Sequence, residues 1–429
     1  MAFDLSRSAP QRIAIIGGGI SGLSSAWLLS GHHDVTLYES SPRIGGHART
    51  VVAGKRGDQP VDTGFIVFNY ANYPHLTGLF RDLDVPVERS NMSFGVSLNG
   101  GRLEYALRSG NALFGQRRNL LSPGHYRMIR DVLKFNAQAD AAAEGQPDLT
   151  IDALLGRLGL GRRFRDCYLF PICGAIWSTP ASGIGHFPAE ALIRFMRNHA
   201  LMSAGGQHQW WTVSGGSASY VSRLVAALRD RGVALRPGSP VQSVLRTDEQ
   251  VTIHAQGAEP QIFDQVIFAC HADQALALLA DPSRAETASL GAIRFQDNHT
   301  VLHRDPSFMP RRRRCWSAWV YRTETAVPDR AVGITYWMNR LQNIPEDDPL
   351  FVTLNPARPI RDADVYDQVN FRHPVFDHAA LRAQQEIAAM QGTRRSWFAG
   401  AWLRNGFHED GFASAHRIAR QLLPQEAPV

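Results

Sequence analysis

The sequence lacks any long apolar run. No stretch approaches the roughly 18 consecutive apolar residues that a membrane-spanning helix needs, which excludes the helical class of integral membrane proteins. The opening segment, MAFDLSRSAPQR, is polar and contains no apolar signal core, so we do not expect secretion. The four cysteines (Cys167, Cys173, Cys270 and Cys315) have neither disulfide-framework nor zinc spacing. We therefore expect reduced cysteines, no metal site and a cytoplasmic protein.

Lysine is also scarce, because only Lys55 and Lys134 stand among the 45 basic residues. The formal net charge is +6 and the isoelectric point about 9.3. Four consecutive arginines at 311–314 lie between Phe308 and Trp316, a combination that favours peripheral contact with an anionic membrane surface. A solvated basic face is the alternative. No stacking-aromatic or helix-turn-helix pattern accompanies the charge, so nucleic acid is not an expected partner.

The length and composition are those of a globular protein with more than one core. A chain of 429 residues exceeds what one compact core usually supports, so we expect two domains. The sequence is 44% hydrophobic and 20% charged, which is ordinary for a soluble protein. It contains no internal repeat or low-complexity block, and it gives no indication of oligomeric state.

A glycine motif near the N-terminus predicts a dinucleotide site. The β-branched apolar run at 13–16 predicts a buried parallel strand, and Gly17, Gly19 and Gly22 follow it as G-x-G-x-x-G. The first amides of the next helix, those of Ile20 and Ser21, would face the phosphates. A structural glycine turn is the alternative. It does not explain the acid that closes the second predicted strand about 20 residues later.

That acid, Glu39, is placed to accept hydrogen bonds from the adenosine ribose hydroxyls, and it would repel the 2′-phosphate of NADP. The segment that follows, ESSPRIGGHART, adds Arg43, Gly45 and Gly46. It resembles the second phosphate-contacting segment of the FAD-dependent amine oxidase and phytoene desaturase superfamily. The resemblance implies FAD rather than NAD, with a simple polar turn as the alternative. His47 stands where amine oxidases usually carry arginine and could contact a phosphate.

The same resemblance implies the fold class and domain organisation. We expect an α/β (α+β) protein with a Rossmann-like FAD-binding domain that is discontinuous, built from residues 10–75, 205–290 and 392–429. The inserted pieces, 76–204 and 291–391, would form a substrate domain of helices plus a mixed β-sheet. Within it, CWSAWVYR, VGITYWMN and FVTLNP have the composition of strands.

A closer resemblance covers about residues 12–423. The segments DTGFIVFNYANYPHLTGLF, YLFPICGAIWS, WWTVSGG, ITYWMNRLQNI and NGFHEDG occur together and in order. In that combination the chain resembles the group of FAD-dependent oxidoreductases similar to the N-terminal domain of plant cyclopropane fatty acid synthases. Bacterial members of this group are often associated with cyclopropane-synthase-like methyltransferases, which makes such a methyltransferase a candidate partner.

The resemblance implies fatty acyl chains, esterified in membrane phospholipid, as the substrate. The leading hypothesis is desaturation of a methylated unsaturated chain on the route to furan fatty acids, by hydride transfer to flavin N5 with oxygen as the electron acceptor. Oxidation of a polyene or an amine is one alternative. A non-catalytic, FAD-holding partner of the methyltransferase is another. Amine oxidases of the superfamily commonly use a late lysine, and the absence of lysine after Lys134 counts against amine oxidation.

The resemblance also implies flavin contacts beyond the two glycine segments. The additional cofactor-binding candidates are Gly64, Phe65, Val241, Gly400, Asp410, Gly411 and Phe412. Val241 would lie near the adenine, and the amides of Gly411 and Phe412 near the flavin pyrimidine oxygen. Asp410 would equally serve as a helix N-cap.

Four residues are candidates for the chemistry and three for the substrate wall. His408 and Glu409 would bind the ribityl chain or move a proton, or act only as loop and cap residues. Asn69 and Tyr73 would close the substrate side. The expected aromatic wall consists of Trp177, Tyr336 and Trp337, with ordinary core packing as the alternative. His271 is expected to be a core histidine rather than a flavin neighbour.

Overall fold

The computed structural model describes residues 9–146, 148–177, 181–202, 208–324 and 333–424. The opening segment discussed above lies largely outside these residues, as do 205–207, 325–332 and 425–429 of the predicted domain ranges.

The strands are β1 Arg12–Ile16, β2 Asp34–Glu39, β3 Thr50–Ala53, β4 Gln59–Asp62, β5 Val87–Ser90, β6 Phe94–Leu98, β7 Leu103–Ala106, β8 Trp210–Val213, β9 Ala234–Pro237, β10 Val241–Arg246, β11 Val251–Ala255, β12 Gln261–Phe263, β13 Gln265–Phe268, β14 Phe295–His303, β15 Trp319–Arg322, β16 Gly333–Trp337, β17 Phe351–Leu354, β18 Val365–Pro374 and β19 Ser396–Phe398.

The helices are α1 Ile20–Leu29, α2 Pro74–Asp82, α3 Gly110–Leu113, α4 Pro123–Ala143, α5 Ile151–Arg157, α6 Arg162–Phe164, α7 Phe170–Trp177, α8 Ala181–Ile184, α9 Ala189–Asn198, α10 Ala218–Asp230, α11 Ala272–Leu278, α12 Arg284–Ala292, α13 Met338–Leu341, α14 His378–Ala389 and α15 His408–Leu422.

A five-stranded parallel sheet, ordered β19-β13-β1-β2-β9, forms the first layer. Its central strand is buried on both faces, as its apolar sequence predicts. Ile13 and Ile15 pack into a core with α1, α10 and α15. Ala14 and Ile16 pack into another core with β11, α11, α12 and α14. Strand alternation thus lets four residues anchor helices on both faces of the sheet.

A seven-stranded sheet, ordered β18-β14-β17-β16-β15-β6-β7, forms the second layer. All its neighbours are antiparallel except β15 and β6, which run parallel. One face packs Val96 and Tyr105 against helices that include α4. The opposite face packs Val320 and Phe351 with Met309. The expected mixed sheet of the inserted domain is present, and the three predicted late strands correspond to β15, β16 and β17.

Each sheet draws its strands from distant parts of the chain. The parallel sheet combines residues 12–39, 234–268 and 396–398, while the seven-stranded sheet combines 94–106 with 295–374. The predicted fold class, an α/β protein of the amine oxidase type, is confirmed. The domain boundaries remain a prediction. One ladder, between β5 and β8, crosses the boundary drawn near residue 205.

Two expectations about chemistry and location can be compared with the structure. All four cysteines are free thiols, and burial raises the pKa of Cys315 to about 11. None of the described helices is both long enough and apolar enough to cross a membrane.

Candidate active site

A cavity of about 810 Å³ lies where the two sheets meet. Residues at the carboxyl ends of β1, β2, β13 and β19 form one side of it, the usual ligand position in an open parallel sheet. Side chains from one face of the seven-stranded sheet form the other side. Predicted residues that line the cavity are Gly17, Gly19, Ile20, Ser21, Glu39, Gly46, His47, Gly64, Phe65, Tyr73, Val241, Tyr336, Gly400 and His408.

The first glycine turn is shaped by close backbone packing. Gly17 has φ +115°, and a Cβ there would lie 2.6 Å from the carbonyl oxygen of Ala269. A Cβ on Gly22 would lie 1.9 Å from the carbonyl oxygen of Gly17. Gly22 therefore does not line the cavity but fixes α1 against the turn. The first turn of α1 carries no acidic residue, so its free amides favour an anion.

Glu39 closes β2 at the cavity edge. Its Oε2 accepts a hydrogen bond from the Gly18 amide and its Oε1 accepts one from the Ser41 amide, both at 2.7 Å. These two bonds orient the carboxylate between the first glycine turn and the segment that follows β2. Its position fits the expected ribose contact, because further lone pairs of the carboxylate remain for hydroxyl donors.

Arg43 supports the second glycine turn instead of lining the cavity. Its guanidinium donates to the carbonyl oxygens of Gly46, at 2.7 Å, and Ala48, at 2.9 Å. Gly45 also lies outside the lining, whereas Gly46 reaches it. A Cβ on Gly46 would lie 2.9 Å from the Cα of Gly19, so the two glycine turns touch. Arg43 is accordingly a positioning residue of this turn.

Histidines cluster on the side of the cavity facing the seven-stranded sheet. The ring of His47 stacks on Phe371 at 4.7 Å and lies 6.3 Å from His271 and 5.7 Å from His373. Burial lowers the pKa of His47 and of His271 to about 4, and that of His373 to about 3, so all three imidazoles are neutral at pH 7. The structure thus places His271 in the cavity lining rather than in the core.

His408 forms the second polar feature of the lining. Its Nε2 and the Tyr220 hydroxyl lie 2.5 Å apart, and its ring stacks on Phe65 with centroids 4.0 Å apart. Burial lowers the pKa of His408 to about 3 and raises that of Tyr220. A neutral hydroxyl–imidazole hydrogen bond therefore links α10 to the first residue of α15.

The residues that follow His408 in the HEDGF segment (residues 408–412) make structural contacts within the protein. Glu409 accepts hydrogen bonds from the His75 and Leu76 amides, each at 3.0 Å, and so caps the start of α2. Asp410 accepts from the Phe407 amide at 3.0 Å, which makes it a third-position capping residue of α15 rather than its N-cap.

Gly411 and Phe412 also differ from the expected flavin contacts. A Cβ on Gly411 would lie 2.8 Å from a side-chain carbon of Ile20, so Gly411 lets α15 approach α1. Phe412 is buried in the core beneath the parallel sheet. Glu409, Asp410, Gly411 and Phe412 all lie outside the cavity lining, whereas His408 in the same helical turn lines it.

The aromatic wall differs from the expectation at two residues. Tyr336 lines the cavity, but Trp337 packs with Val320 and Phe351 on the opposite face of the sheet, because consecutive strand residues point to opposite faces. Trp177 stacks on Phe187 and lies one layer behind the wall. The assignment of Tyr336 to the substrate wall remains a prediction. The assignment of Trp337 to that wall is wrong.

Asn69 and Tyr73 occupy different environments. Asn69 is fully buried, and its side-chain oxygen accepts from the Asn72 amide at 2.8 Å, outside the cavity lining. Tyr73 lines the cavity, and burial raises its pKa, so its hydroxyl is neutral. Asn69 thus shapes the turn before α2, whereas Tyr73 can reach a ligand.

Several lining residues were not expected from sequence. They are Trp210, Trp319, Phe371, Arg372, His373 and Phe407. The alternation in VNFRHP is the one local signal for part of this set, because Phe371 and His373 are two residues apart in β18 and share a face. Their position opposite the glycine turns depends on pairing with β14, more than 60 residues earlier, which local sequence does not reveal.

Comparison with known proteins now supplies the family. A family model described as flavin containing amine oxidoreductase matches residues 20–301. The chain belongs to this family. An L-amino-acid oxidase of Sistrurus catenatus edwardsii is 52% identical over 44 residues, and one of Gloydius blomhoffii is 49% identical over 51 residues. These matches span 10% and 12% of this chain but only 8% and 10% of those relatives.

Similar solved structures cover nearly the whole chain. A fatty acid isomerase of P. acnes that produces CLA has a TM-score of 0.69 at 16% identity, covering 96% of this chain and 98% of its own. Cyclohexylamine oxidase of Brevibacterium oxydans has a TM-score of 0.65 at 17% identity, covering 96% and 99%. At these identities the likeness establishes the shared fold.

FAD is the cofactor of this family, and the protein is an FAD-dependent oxidoreductase. The cavity fits it: the glycine turns leave room for backbone to approach a pyrophosphate, and Glu39 lines the cavity beside them, where the ribose contact is expected. Three buried ring nitrogens of the lining, His47 Nε2, His271 Nδ1 and Trp319 Nε1, have no hydrogen-bond partner among the described residues. Buried polar atoms of this kind call for a bound partner.

Proposed function

We propose that the protein desaturates a methylated unsaturated fatty acyl chain, carried by a membrane phospholipid. The observation that carries this proposal is the composition of the cavity beyond the glycine turns. Ile66, Val67, Trp210, Trp319 and Leu354 line it with apolar surface. Such a surface suits an alkyl chain, since burying each methylene stabilises the complex by about 0.8 kcal/mol.

Charge in the cavity argues against an ammonium substrate. Among the described lining residues Glu39 is the only carboxylate, and it lies at the adenosine end. The one arginine, Arg372, forms an ion pair with Asp273 at 2.7 Å. The lining histidines are neutral at pH 7 because of their lowered pKa values. An ammonium group would therefore lose its hydration without gaining an anionic partner.

The chemistry follows from a neutral and largely apolar site. Bound FAD supplies an acceptor for a hydride and its two electrons. The substrate loses one hydrogen as hydride from the carbon beside its existing double bond and a second from the neighbouring carbon as a proton, and a new C=C bond forms between them. The neighbouring double bond is required, because an isolated alkyl C–H is a much poorer hydride donor.

The chain's own groups orient the substrate. Tyr336 and Trp319 pack edge to face, with ring centroids 5.2 Å apart and ring planes at 84°, and together form an aromatic wall against which an extended chain can pack. Burial lowers the pKa of His408 to about 3, so its imidazole is neutral at pH 7. The proton that the substrate releases goes to a base or to water. Molecular oxygen, reduced to hydrogen peroxide, completes the proposed cycle.

Similarity to other proteins adds support. One structure of the same fold is a fatty acid isomerase that produces CLA, so this fold accommodates an unsaturated acyl chain. Putrescine oxidase and cyclohexylamine oxidase share the fold too. The fold alone thus does not choose between acyl and amine substrates, and the choice depends on the lining described above.

The test uses the purified yellow protein without oxygen. Phospholipid vesicles carrying a methylated monounsaturated acyl chain are added, and the flavin absorbance is followed together with the mass of the recovered chain. We expect bleaching and the loss of two hydrogens. Matched vesicles with a saturated methylated chain should leave the flavin oxidised. Bleaching by putrescine or a polyene, but not by the lipid, would instead support the amine or polyene alternative, and no bleaching by any of them would leave the partner-protein alternative.

A further inference from the structure

A surface on the helical side combines exposed leucines with arginines. We call it the arginine–leucine face and define it by Leu120, Leu121, Tyr126 and Leu133 together with the exposed basic residues from 102 to 134. Leu121 is 88% exposed and Leu133 57% exposed. Among the described residues, five of the nine exposed large hydrophobic side chains lie between 107 and 133, so the exposure is concentrated here.

The apolar members of this face adjoin one another. The Tyr126 hydroxyl donates a hydrogen bond to the carbonyl oxygen of Leu120 at 3.1 Å, which holds the ring beside the short turn that carries Leu120 and Leu121. Leu133 lies two helical turns further along α4 than Tyr126 and therefore on the same side of that helix. The apolar stripe thus runs along α4 for about 10 Å, from Tyr126 to Leu133.

The charge of this face has one sign. Every exposed charged residue between 101 and 134 is basic, because the two acids in this range, Glu104 and Asp131, are buried. Arg118 and Arg127 are exposed and form no ion pair within the described part of the chain. Arginines and apolar side chains on one face match the headgroup and acyl layers of an anionic bilayer.

The arginine tract at 311–314 is less available for such a role. Arg312 forms an ion pair with the buried Glu104 at 2.7 Å, and Arg313 forms one with Glu346 at 2.8 Å. The Arg313 guanidinium also lies over the ring of Trp316, 3.9 Å from its centroid. Half of this tract is therefore engaged within the protein, and the observations favour the arginine–leucine face.

A cleft of about 550 Å³ beside Leu121 adjoins this face and shares Leu121, Arg102 and Arg118 with it. Arg102, Arg118 and Arg163 line it, and no carboxylate does. The Nε of Arg163 is buried without a hydrogen-bond partner among the described residues, although a buried polar atom normally finds one. Three arginines without an acid provide a site for a phosphate group.

The cleft and the active-site wall share one sheet face. Trp319 is paired with Phe94 and with Tyr336, so these three side chains lie on the same side of the seven-stranded sheet. Leu98 lies four residues beyond Phe94 in β6, about 13 Å away, and lines the arginine cleft. A lipid headgroup in the cleft would thus lie on the same side of the sheet as the catalytic cavity.

We infer that the arginine–leucine face docks the protein onto a bilayer containing anionic phospholipid. Leu121 and its neighbours enter the acyl layer, and the cleft arginines bind a lipid phosphate. The inference rests on the proposed function only for the purpose of docking, which is to bring the enzyme to an esterified substrate. Binding to the bilayer itself is independent of that function.

Vesicle flotation of the full-length, FAD-loaded protein tests the inference. We expect binding to vesicles of phosphatidylcholine with phosphatidylglycerol, weak binding to pure phosphatidylcholine, and weaker binding to both as salt is raised. Leu121→Ser and Arg118→Gln should each lower the affinity for anionic vesicles by about tenfold. The matched controls are Val52→Ser and Arg56→Gln, two exposed residues elsewhere, which should bind as the parent does.

Other outcomes overturn the inference. Equal binding of all variants, or no preference for anionic vesicles, would remove the face as a membrane site. If Leu121→Ser changes the oligomeric state in light scattering while vesicle binding is absent, the face joins copies of this chain instead. Its failure is distinguishable from failure of the proposed function. Docking variants should still desaturate detergent-dispersed lipid, whereas an incorrect function would leave vesicle binding intact without any desaturation.

Discussion

The two walls of the active-site cavity are built on different principles. The wall at the carboxyl ends of the parallel sheet consists largely of backbone, where Gly17, Gly19 and Gly46 bring the chain close because they have no side chains. The wall from the seven-stranded sheet consists of aromatic and histidine side chains. We expect the first wall to hold the cofactor that the family shares and the second wall to determine which substrate is oxidised. Adding side-chain atoms to the backbone wall should therefore abolish FAD binding, and removing side-chain atoms from the other wall should alter substrate oxidation.

The largest expected effect is at the backbone wall. Gly22→Ala would place a Cβ 1.9 Å from the carbonyl oxygen of Gly17, so either α1 or the phosphate turn must move. We expect the purified variant to contain almost no FAD and to lose about 1–3 kcal/mol of unfolding free energy. The flavin-to-protein absorbance ratio and the denaturation midpoint measure both. Gly31→Ala, where a Cβ meets no atom within 4 Å, is the control and should keep its flavin.

A pair of adjacent residues tests the side-chain wall. Trp337→Ala removes a core ring that is 4% exposed, so we expect a loss of about 3–5 kcal/mol in stability with little change in the turnover of the protein that remains folded. Tyr336→Ala should do the reverse, with a smaller loss of stability and a rise in KM for the acyl substrate. Equal kinetic effects of both variants would show that the strand does not separate cavity from core.

The contrast between the walls also explains which site residues could be predicted from the sequence and which could not. The glycine turns, the strand before them and Glu39 all lie between residues 12 and 46, and each has a local physical requirement, so the cofactor side was predictable. Tyr336 and Trp337 have similar sequence character, and only the register of β16 between β15 and β17 decides which one faces the cavity. His373 needed the same kind of long-range pairing.

The HEDGF segment shows a second limit of sequence. An acid beside a histidine in a segment expected to contact the flavin suggests proton transfer, but Glu409 caps α2, a helix more than 300 residues earlier in the chain. The identity of a capping residue's partner depends on tertiary packing, so the same side chain is compatible with either role until the fold is known. His408 and Glu409 are therefore adjacent in sequence but differ in role, because His408 lines the cavity and Glu409 caps α2.

An intermediate effect is expected where the two walls meet. Tyr220→Phe removes the hydroxyl that lies 2.5 Å from His408 Nε2 and leaves a buried nitrogen unpaired, at a cost of about 1–3 kcal/mol. Because His408 also stacks on Phe65 at the cavity, we expect a shift in the flavin absorbance spectrum as well. Tyr126→Phe, which loses an exposed hydroxyl, is the control for stability. An unchanged spectrum in Tyr220→Phe would place His408 away from the flavin.

The smallest expected effect is at Glu409, and it separates a structural role from a catalytic one. Burial raises the pKa of Glu409 to about 7 in the folded state, above its usual value of 4.5. The protonated form is therefore favoured by folding, so its contribution to stability is complete below pH 4.5 and is lost as the pH rises through 7. A glutamine side chain at this position would resemble the protonated form at every pH.

Glu409→Gln should thus gain on the parent protein by about 1–2 kcal/mol between roughly pH 5 and pH 8, because each pKa unit corresponds to about 1.4 kcal/mol and solvent screens part of it. Chemical denaturation of both proteins across this range measures the difference, and the buried histidines cancel because both proteins contain them. Turnover of the proposed acyl substrate and flavin content should stay within about threefold. A difference in unfolding free energy that does not change with pH, together with lost turnover, would instead indicate a catalytic role for Glu409. That role would require α2 to move so that Glu409 reaches the cavity.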